Sequence, residues 1–284
     1  MKIRGKLVNV FHKDRVIKVQ GRDRMYFLYM SRKLFKEFGL YFYSKPIVYV
    51  EASDDKKRCG EYFCNEIIAF DKIIGFERKR KVFFDIDNIK SGIRDVIFSS
   101  ENKLFLDLEF SLPSFYQSKK HIPEIIQYGL VLEDADGNLI LEDSSLLMPL
   151  RKYALNSRTY NFLKKTKEDF EEATTYLDFY DLLKEIIAKY DPKIIAWGTN
   201  DILTLEQSFK LNKLLPLTIR NRYINLMQLL KTYYSHRVDL GLFNTYSQMS
   251  GFEKEGQSHD ALEDALLTRE IYRMFKVRII EEEN

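Results

Sequence analysis

Residues 104–111 read LFLDLEFS, an apolar run broken only by Asp107 and Glu109, two residues apart. Its length and composition predict a buried strand. In a strand, residues i and i+2 point to the same side of the pleat, so both carboxylates face one way. Two like charges side by side raise each other's pKa, and a bound divalent cation would remove the conflict. The alternative is an edge strand with a wet face, which tolerates the pair without an ion. What the rest of the chain brings to this strand decides between them.

Downstream, strand patterns at 124–133 and 138–147 flank the turn Asp136-Gly137-Asn138. Helices are expected at 159–165 and 167–189, the longer one stopped by Asp191-Pro192. A short apolar strand at 193–197 runs through Gly198-Thr199-Asn200 into a helix beginning near Asp201. A strand at 223–227 precedes helices at 229–234 and 239–250, the second ended by Gly251, and a last helix spans about 260–275 with Asp260 and Glu263 as a capping box. Three antiparallel strands followed by alternating helices and strands predict a layered α/β domain over 103–284, a mixed five-stranded sheet flanked by helices.

Upstream, residues 1–72 read as short alternating strands at 3–10, 15–19, 24–30, 46–51 and 62–70. One helix interrupts them after the N-cap Ser31 and closes at Gly39. Three strands, a helix and two strands are the order of an OB-like barrel, a β-rich fold that binds single-stranded nucleic acid or oligosaccharide. Lys18, Arg24 and Tyr26 are candidate nucleic-acid contacts there, since phosphates meet Lys and Arg while bases stack on aromatic faces. Residues 73–102 read as a linker. They hold the basic run Arg78-Lys79-Arg80-Lys81, a solvated face with no assigned role, and a second acidic pair, Asp85 and Asp87, followed by a turn-like stretch at 88–92.

The net charge of +3 hides an asymmetry. Residues 1–100 carry 22 Lys+Arg against 13 Asp+Glu, a balance of +9, and the remainder carries 23 against 29, a balance of −6. A basic part joined to an acidic part suits a polyanionic substrate that one half attracts and the other cuts. No run of about 18 apolar residues exists to span a membrane, and the N-terminus lacks the apolar core of a signal peptide, so a cytoplasmic protein without a membrane partner is expected. Cys59 and Cys64 are too few for a disulfide framework or a thiolate zinc site.

Three separated stretches, DLE at 107–109, WGTND ending at Asp201 and HDALED at 259–264, resemble the DEDDh 3′-5′ exonucleases, which share an RNase H-like fold. The resemblance covers most of 103–276 and none of the N-terminal region. AWGTND, RYINL and GQSHDALEDA are most similar to the branch of RNA-trimming exonucleases. The family implies Asp107, Glu109, Asp201 and Asp264 as ligands of two divalent ions, Mg²⁺ or Mn²⁺, with Asp107 bridging them. It implies His259 as general base and places Leu108 and Phe110 beside the terminal nucleotide. The chemistry agrees: hard cations take oxygen ligands, a pair of them stabilises both ends of a phosphodiester displacement, and an imidazole accepts a proton near neutral pH. Where many members carry a Leu-Thr-Gly turn, this chain has Leu163-Lys164-Lys165-Thr166.

The expected function is a metal-dependent 3′-5′ exonuclease acting on single-stranded RNA or DNA. Competing readings are a nucleic-acid-binding protein on a vestigial exonuclease scaffold, a nuclease for short or cyclic oligonucleotides, and an N-terminal region that recruits a protein partner.

Overall fold

A computed structural model describes residues 1–75, 81–115, 121–236, 238–252 and 259–283. The chain divides into two compact units, Met1–Ile93 and Arg94–Asn284. Arg78, Lys79 and Arg80 of the basic run, and Gly256, Gln257 and Ser258 of the GQSHDALEDA phrase, lie outside the described residues.

The first unit is built on strand alternation. In β1 (Lys2–Phe11), Ile3, Gly5 and Leu7 are buried while Lys2, Arg4 and Lys6 are exposed. β2 (Val16–Gln20) and β3 (Met25–Tyr29) continue an antiparallel meander. After α1 (Arg32–Phe38), β4 (Ile47–Cys59) pairs antiparallel with both β1 and β5 (Tyr62–Ile74). β3 then meets β5 in parallel, closing five strands into a barrel around Leu7, Ile17, Leu28, Val50 and Ile67. Ser31 caps α1 as expected, its Oγ accepting from the Leu34 N–H at 3.3 Å. The α-helix ends at Phe38 with Gly39 as its C-cap, but Gly39 stays right-handed at φ −57° and leads into a 3-10 turn, and Lys45, at φ 47°, makes the reversal.

Residues 73–102 are not an open linker. They contain β6 (Val82–Asp85), paired with β5, and the helix α2 (Ile86–Ile97). Asp85 pairs with Lys72 across the strands and accepts the Asp87 N–H at the start of α2, so its carboxylate serves structure, while Asp87 is exposed. Residues 88–92, expected as a turn, are helical because Ile86, Ile89, Ile93 and Ile97 recur at helical spacing.

The second unit opens with the antiparallel trio β7 (Lys103–Phe110), β8 (Ile125–Glu133) and β9 (Leu139–Met148). There follow α3 (Ser157–Leu163), β10 (Thr174–Thr175), α4 (Tyr176–Tyr190), β11 (Lys193–Ala196), α5 (Asn200–Leu211), β12 (Tyr223–Asn225), α6 (Leu226–Tyr233), α7 (Leu242–Ser250) and α8 (Ala261–Glu283). Among the described residues the sheet has six strands rather than the expected five, ordered β10-β9-β8-β7-β11-β12. The added strand is β10, which occupies part of what the sequence suggests is one helix over 167–189. That stretch breaks because Thr175 and Asp178 form a capping box, so α4 starts only at Tyr176.

β7 lies inside the sheet, between β8 and β11, which removes the wet-edge reading. Its alternation serves two layers. Leu104, Leu106 and Leu108 join Leu130 and Leu132 of β8, Phe179 and Leu183 of α4, and Leu205 and Phe209 of α5 in one core. The opposite set, Phe105, Asp107 and Glu109, lies on the face covered by α8, with the Phe105 ring 5.6 Å from that of Tyr272. Among the described residues, no helix is long and apolar enough to cross a membrane.

Candidate active site

Pairing between β7 and β11 stops at Phe105 and Ile195, so beyond that point β7 loses its neighbour on one side. β11 ends at Ala196, Gly198 turns the chain at φ 103°, and α5 starts in the space left open. Asp201, in the first turn of α5, fills it: its Oδ1 accepts the Leu108 N–H at 3.2 Å. The hydroxyl of Tyr223, at the start of β12, donates to the Gly198 carbonyl and holds the turn.

The other side of the site comes from α8. Asp107 faces Gly129 across the β7–β8 ladder. A Cβ at Gly129 would stand 2.2 Å from the backbone of Ala261 and Leu262, so the first turn of α8 rests directly on β8 where a side chain is missing. This contact sets Asp264 over β7. One pleat further, Gln127 donates to Asp260 Oδ2 at 2.9 Å, and Asp260 Oδ1 accepts the Glu263 N–H at 3.2 Å, fixing the start of the helix.

These elements bring Asp107, Glu109 and Asp264 together, with one carboxylate oxygen from each within 4.8 Å of the others. Glu109, Asp201 and Asp264 are 7%, 5% and 5% exposed, while Asp107 keeps more contact with solvent. Such crowding disfavours charge. Burial first, then Asp201, Asp264 and Glu109, raises Asp107 well above the carboxylate range. Burial first, then Asp264 and Asp201, pushes Glu109 to about 8. Burial also raises Asp201, to about 7, against the opposing pull of its backbone hydrogen bonds. Four crowded, all-oxygen donors fit a hard divalent cation, whose charge would remove this penalty.

His259 precedes α8 in the left-handed region, at φ 51°. Its Nδ1 lies 3.9 Å from Glu109 Oε1, and its ring lies 4.0 Å from that of Phe162, at the end of α3. Burial and then Lys164 lower its pKa, which favours the neutral imidazole. Asp107, Glu109 and Asp264 therefore come together with His259 beside Glu109, and Asp201 adjoins them through its bond to the Leu108 N–H. Leu108, expected beside the nucleotide, points its side chain the other way and is 3% exposed in the core; Phe110 packs against the same core and is only partly exposed. The alternation that aims Asp107 and Glu109 into the site directs both away from it.

The barrel candidates do not form one patch. The Lys18 ammonium lies 5.5 Å from the Phe27 ring, whereas the Arg24 guanidinium covers Tyr26 at 4.7 Å beside a groove of about 620 Å³ lined by Lys2, Arg4, Lys6 and Arg22. Three site residues escape a reading of the sequence. Gly129 had a usable signal, since glycine inside an apolar strand marks a close backbone approach. Phe162 and Gln127 had none.

A cluster of carboxylates on a central strand is completed by the starts of two helices of the α/β layer, an all-oxygen donor set of the kind that holds a divalent cation. No family model matches the chain. Over 180 residues, 63% of this chain and 85% of the relative, it is 29% identical to the probable 3′-5′ exonuclease KapD of Bacillus subtilis (strain 168). Its fold is similar to the nuclease domain of 3′hExo, a DEDDh family member bound to rAMP, with a TM-score of 0.53 and 16% identity over 64% of this chain and 92% of that one. It is also similar to cell-death related nuclease 4, with a TM-score of 0.51 and 17% identity over 64% of each chain. The chain is thus similar in sequence to a probable 3′-5′ exonuclease and in fold to the nuclease domain of a DEDDh family member.

Proposed function

We propose that this protein is a 3′-5′ exonuclease that hydrolyses phosphodiester bonds of single-stranded RNA or DNA with two divalent ions, Mg²⁺ or Mn²⁺. The observation that carries the reading is the meeting of three carboxylate oxygens within 4.8 Å beside the imidazole of His259, whose Nδ1 lies 3.9 Å from Glu109 Oε1. Divalent ions supply Lewis acidity that eases deprotonation of the attacking water and offsets charge on the departing 3′ oxygen. Asp107, Glu109 and Asp264 hold them, with Asp201 completing the set from α5. His259 accepts the proton of the attacking water, and Phe162 orients its ring by packing against it. Leu108 and Phe110 border the terminal nucleotide through the backbone of β7 rather than through a shared apolar wall.

We read the first unit as an OB-like barrel that holds the strand upstream of the cut. The reading is supported by its closure in the order β1-β2-β3-β5-β4, by α1 between β3 and β4, and by the excess of positive charge in residues 1–100.

The test is cleavage of matched 5′-labelled single-stranded RNA and DNA with Mg²⁺ or Mn²⁺. The expected result is a ladder shortening from the 3′ end, abolished by EDTA and by Asp107→Ala. Undiminished cleavage by pure Asp107→Ala would overturn the assignment.

A further inference from the structure

The outer face of the barrel carries a group of side chains that neither its core nor the acidic site uses. Phe11 ends β1, Phe27 lies in β3 and Tyr62 begins β5. Tyr62 stacks on Phe27 with ring centroids 5.0 Å apart and planes 13° apart, and Phe11 lies 4.6 Å from Tyr62 and 6.4 Å from Phe27. Strand alternation explains their position: Leu28 fills the core, so Phe27 and Tyr29 on either side of it face outward. None of these four rings belongs to the apolar cluster inside the barrel, and all are partly exposed.

Cations on or just before neighbouring strands accompany the rings. Lys18 is the cross-strand partner of Phe27 and places its ammonium 5.5 Å from that ring. Lys57 lies 4.3 Å and Arg15 5.6 Å from the Tyr29 ring. Lys57 also pairs with Glu66 at 2.5 Å, and Arg15 donates to the Tyr29 hydroxyl at 3.0 Å and the Met30 carbonyl at 3.3 Å. These bonds hold the cations at the edge of the aromatic group.

Clustered π faces beside positive charge match a ligand that offers flat rings and repeated negative charge together. An apolar partner would strand the cations, and an acidic protein surface would leave the ring faces unused. We propose that Phe11, Phe27 and Tyr62, with Lys18 and Lys57, form a stacking platform for single-stranded nucleic acid, bases on the rings and phosphates on the ammonium groups. Because every base has a π face, this platform tolerates sequence. The choice of polymer rests on the exonuclease reading, but binding here requires no hydrolysis.

The test is fluorescence anisotropy of the full chain in EDTA, using labelled oligothymidylate and oligouridylate of about 20 nucleotides, longer than the roughly 4–16 that a nucleic-acid-binding barrel occupies. Joint Phe27→Leu and Tyr62→Leu substitution keeps apolar volume, removes the π faces, and is expected to weaken binding about ten- to hundredfold. Lys18→Ala, a surface change that decides the matter if the double variant does not fold, should weaken binding and lower the slope of log affinity against log salt by about 0.7. Binding unchanged in a folded double variant, an unaltered salt slope in Lys18→Ala, or no binding by the parent protein would each overturn the platform. The exonuclease reading fails separately: ring-dependent binding without metal-dependent cleavage would retain the platform and reject the enzyme, and cleavage with ring-independent binding would do the reverse.

Discussion

His259 combines an unusual backbone with a suppressed charge. Its φ of 51° lies where side chains other than glycine are uncommon, and this geometry turns the imidazole back toward Glu109 instead of along α8. Burial and Lys164 disfavour protonation of the ring, which suits the proposed role of proton acceptor. His259→Ala should lower kcat about 10²- to 10⁴-fold while leaving the cation-induced rise in melting temperature in place. In the parent enzyme the rate should fall on the acid side through an apparent pKa below the ordinary histidine value of 6.5. Removing the Lys164 charge makes the imidazolium easier to form, so in Lys164→Met this limb should move to higher pH. A limb that stays put, with His259→Ala fully active, would mean that another base operates. The five catalytic candidates were legible because each sits at a structural boundary that its neighbours announce: Asp107 and Glu109 interrupt an apolar strand, Asp201 follows a glycine turn, and His259 and Asp264 bracket a helix start. Phe162 was not, because an aromatic residue at a helix end is ordinary in any sequence and acquires its role only through a contact formed in three dimensions.

At the scale of elements, the site depends on how closely α8 approaches β8. The missing side chain of Gly129 lets the helix backbone touch the strand, and Gln127 and Asp260 fix the register of that contact. Gly129→Ala would put a methyl group 2.2 Å from main-chain atoms that cannot move as a side-chain tip can. Overpacking of this kind costs about 1–3 kcal/mol, occasionally more, and urea denaturation should show a loss of at least that size. Activity at a temperature where the variant remains folded should fall further than stability alone accounts for, because displacing α8 moves both Asp264 and His259 from β7. A variant with parental stability and rate would show that α8 does not need this approach. The same scale shows where sequence periodicity misleads. Apolar spacing over 167–189 looks continuous because it does not register the capping box at Thr175 and Asp178, which starts a new helix. The stretch at 73–102 looks like a linker because its charges hide the four isoleucines of α2. The apolar-and-acidic pattern of β7 was informative in both respects, giving the burial of the strand and the direction of its carboxylates, whereas the two-residue β10 is too short to leave a pattern.

For the molecule as a whole, the acidic site is a liability that a bound cation would convert into a source of stability. Glu109 titrates near 8 in the folded chain against an ordinary 4.5, and Asp107 and Asp201 are shifted in the same direction. A carboxyl group whose folded pKa is raised binds more protons folded than unfolded over that interval, so stability falls as pH rises through it. In EDTA the melting temperature of the Arg94–Asn284 unit should therefore decline between about pH 4.5 and 8. Asp107→Asn, which removes one of the competing charges, should flatten this decline and raise the melting temperature near pH 8, while abolishing cleavage. Divalent ions act from the other side. Ions that bind only the folded state stabilise it by about 2.7 kcal/mol at a hundredfold excess over Kd, and for a unit of this size each 1 kcal/mol raises the melting temperature by about 2–4 °C. Saturating Mn²⁺ or Mg²⁺ should thus raise the parent's melting temperature by roughly 5–10 °C near pH 8. The rise should shrink toward pH 4.5, where protons compete for the same oxygens, and be largely lost in Asp107→Asn. Differential scanning calorimetry across this pH range, with and without each ion, tests the argument: a melting temperature in EDTA that rises with pH, or an equal response to Mn²⁺ in Asp107→Asn, would show that these carboxylates are neutralised within the protein and do not await a cation.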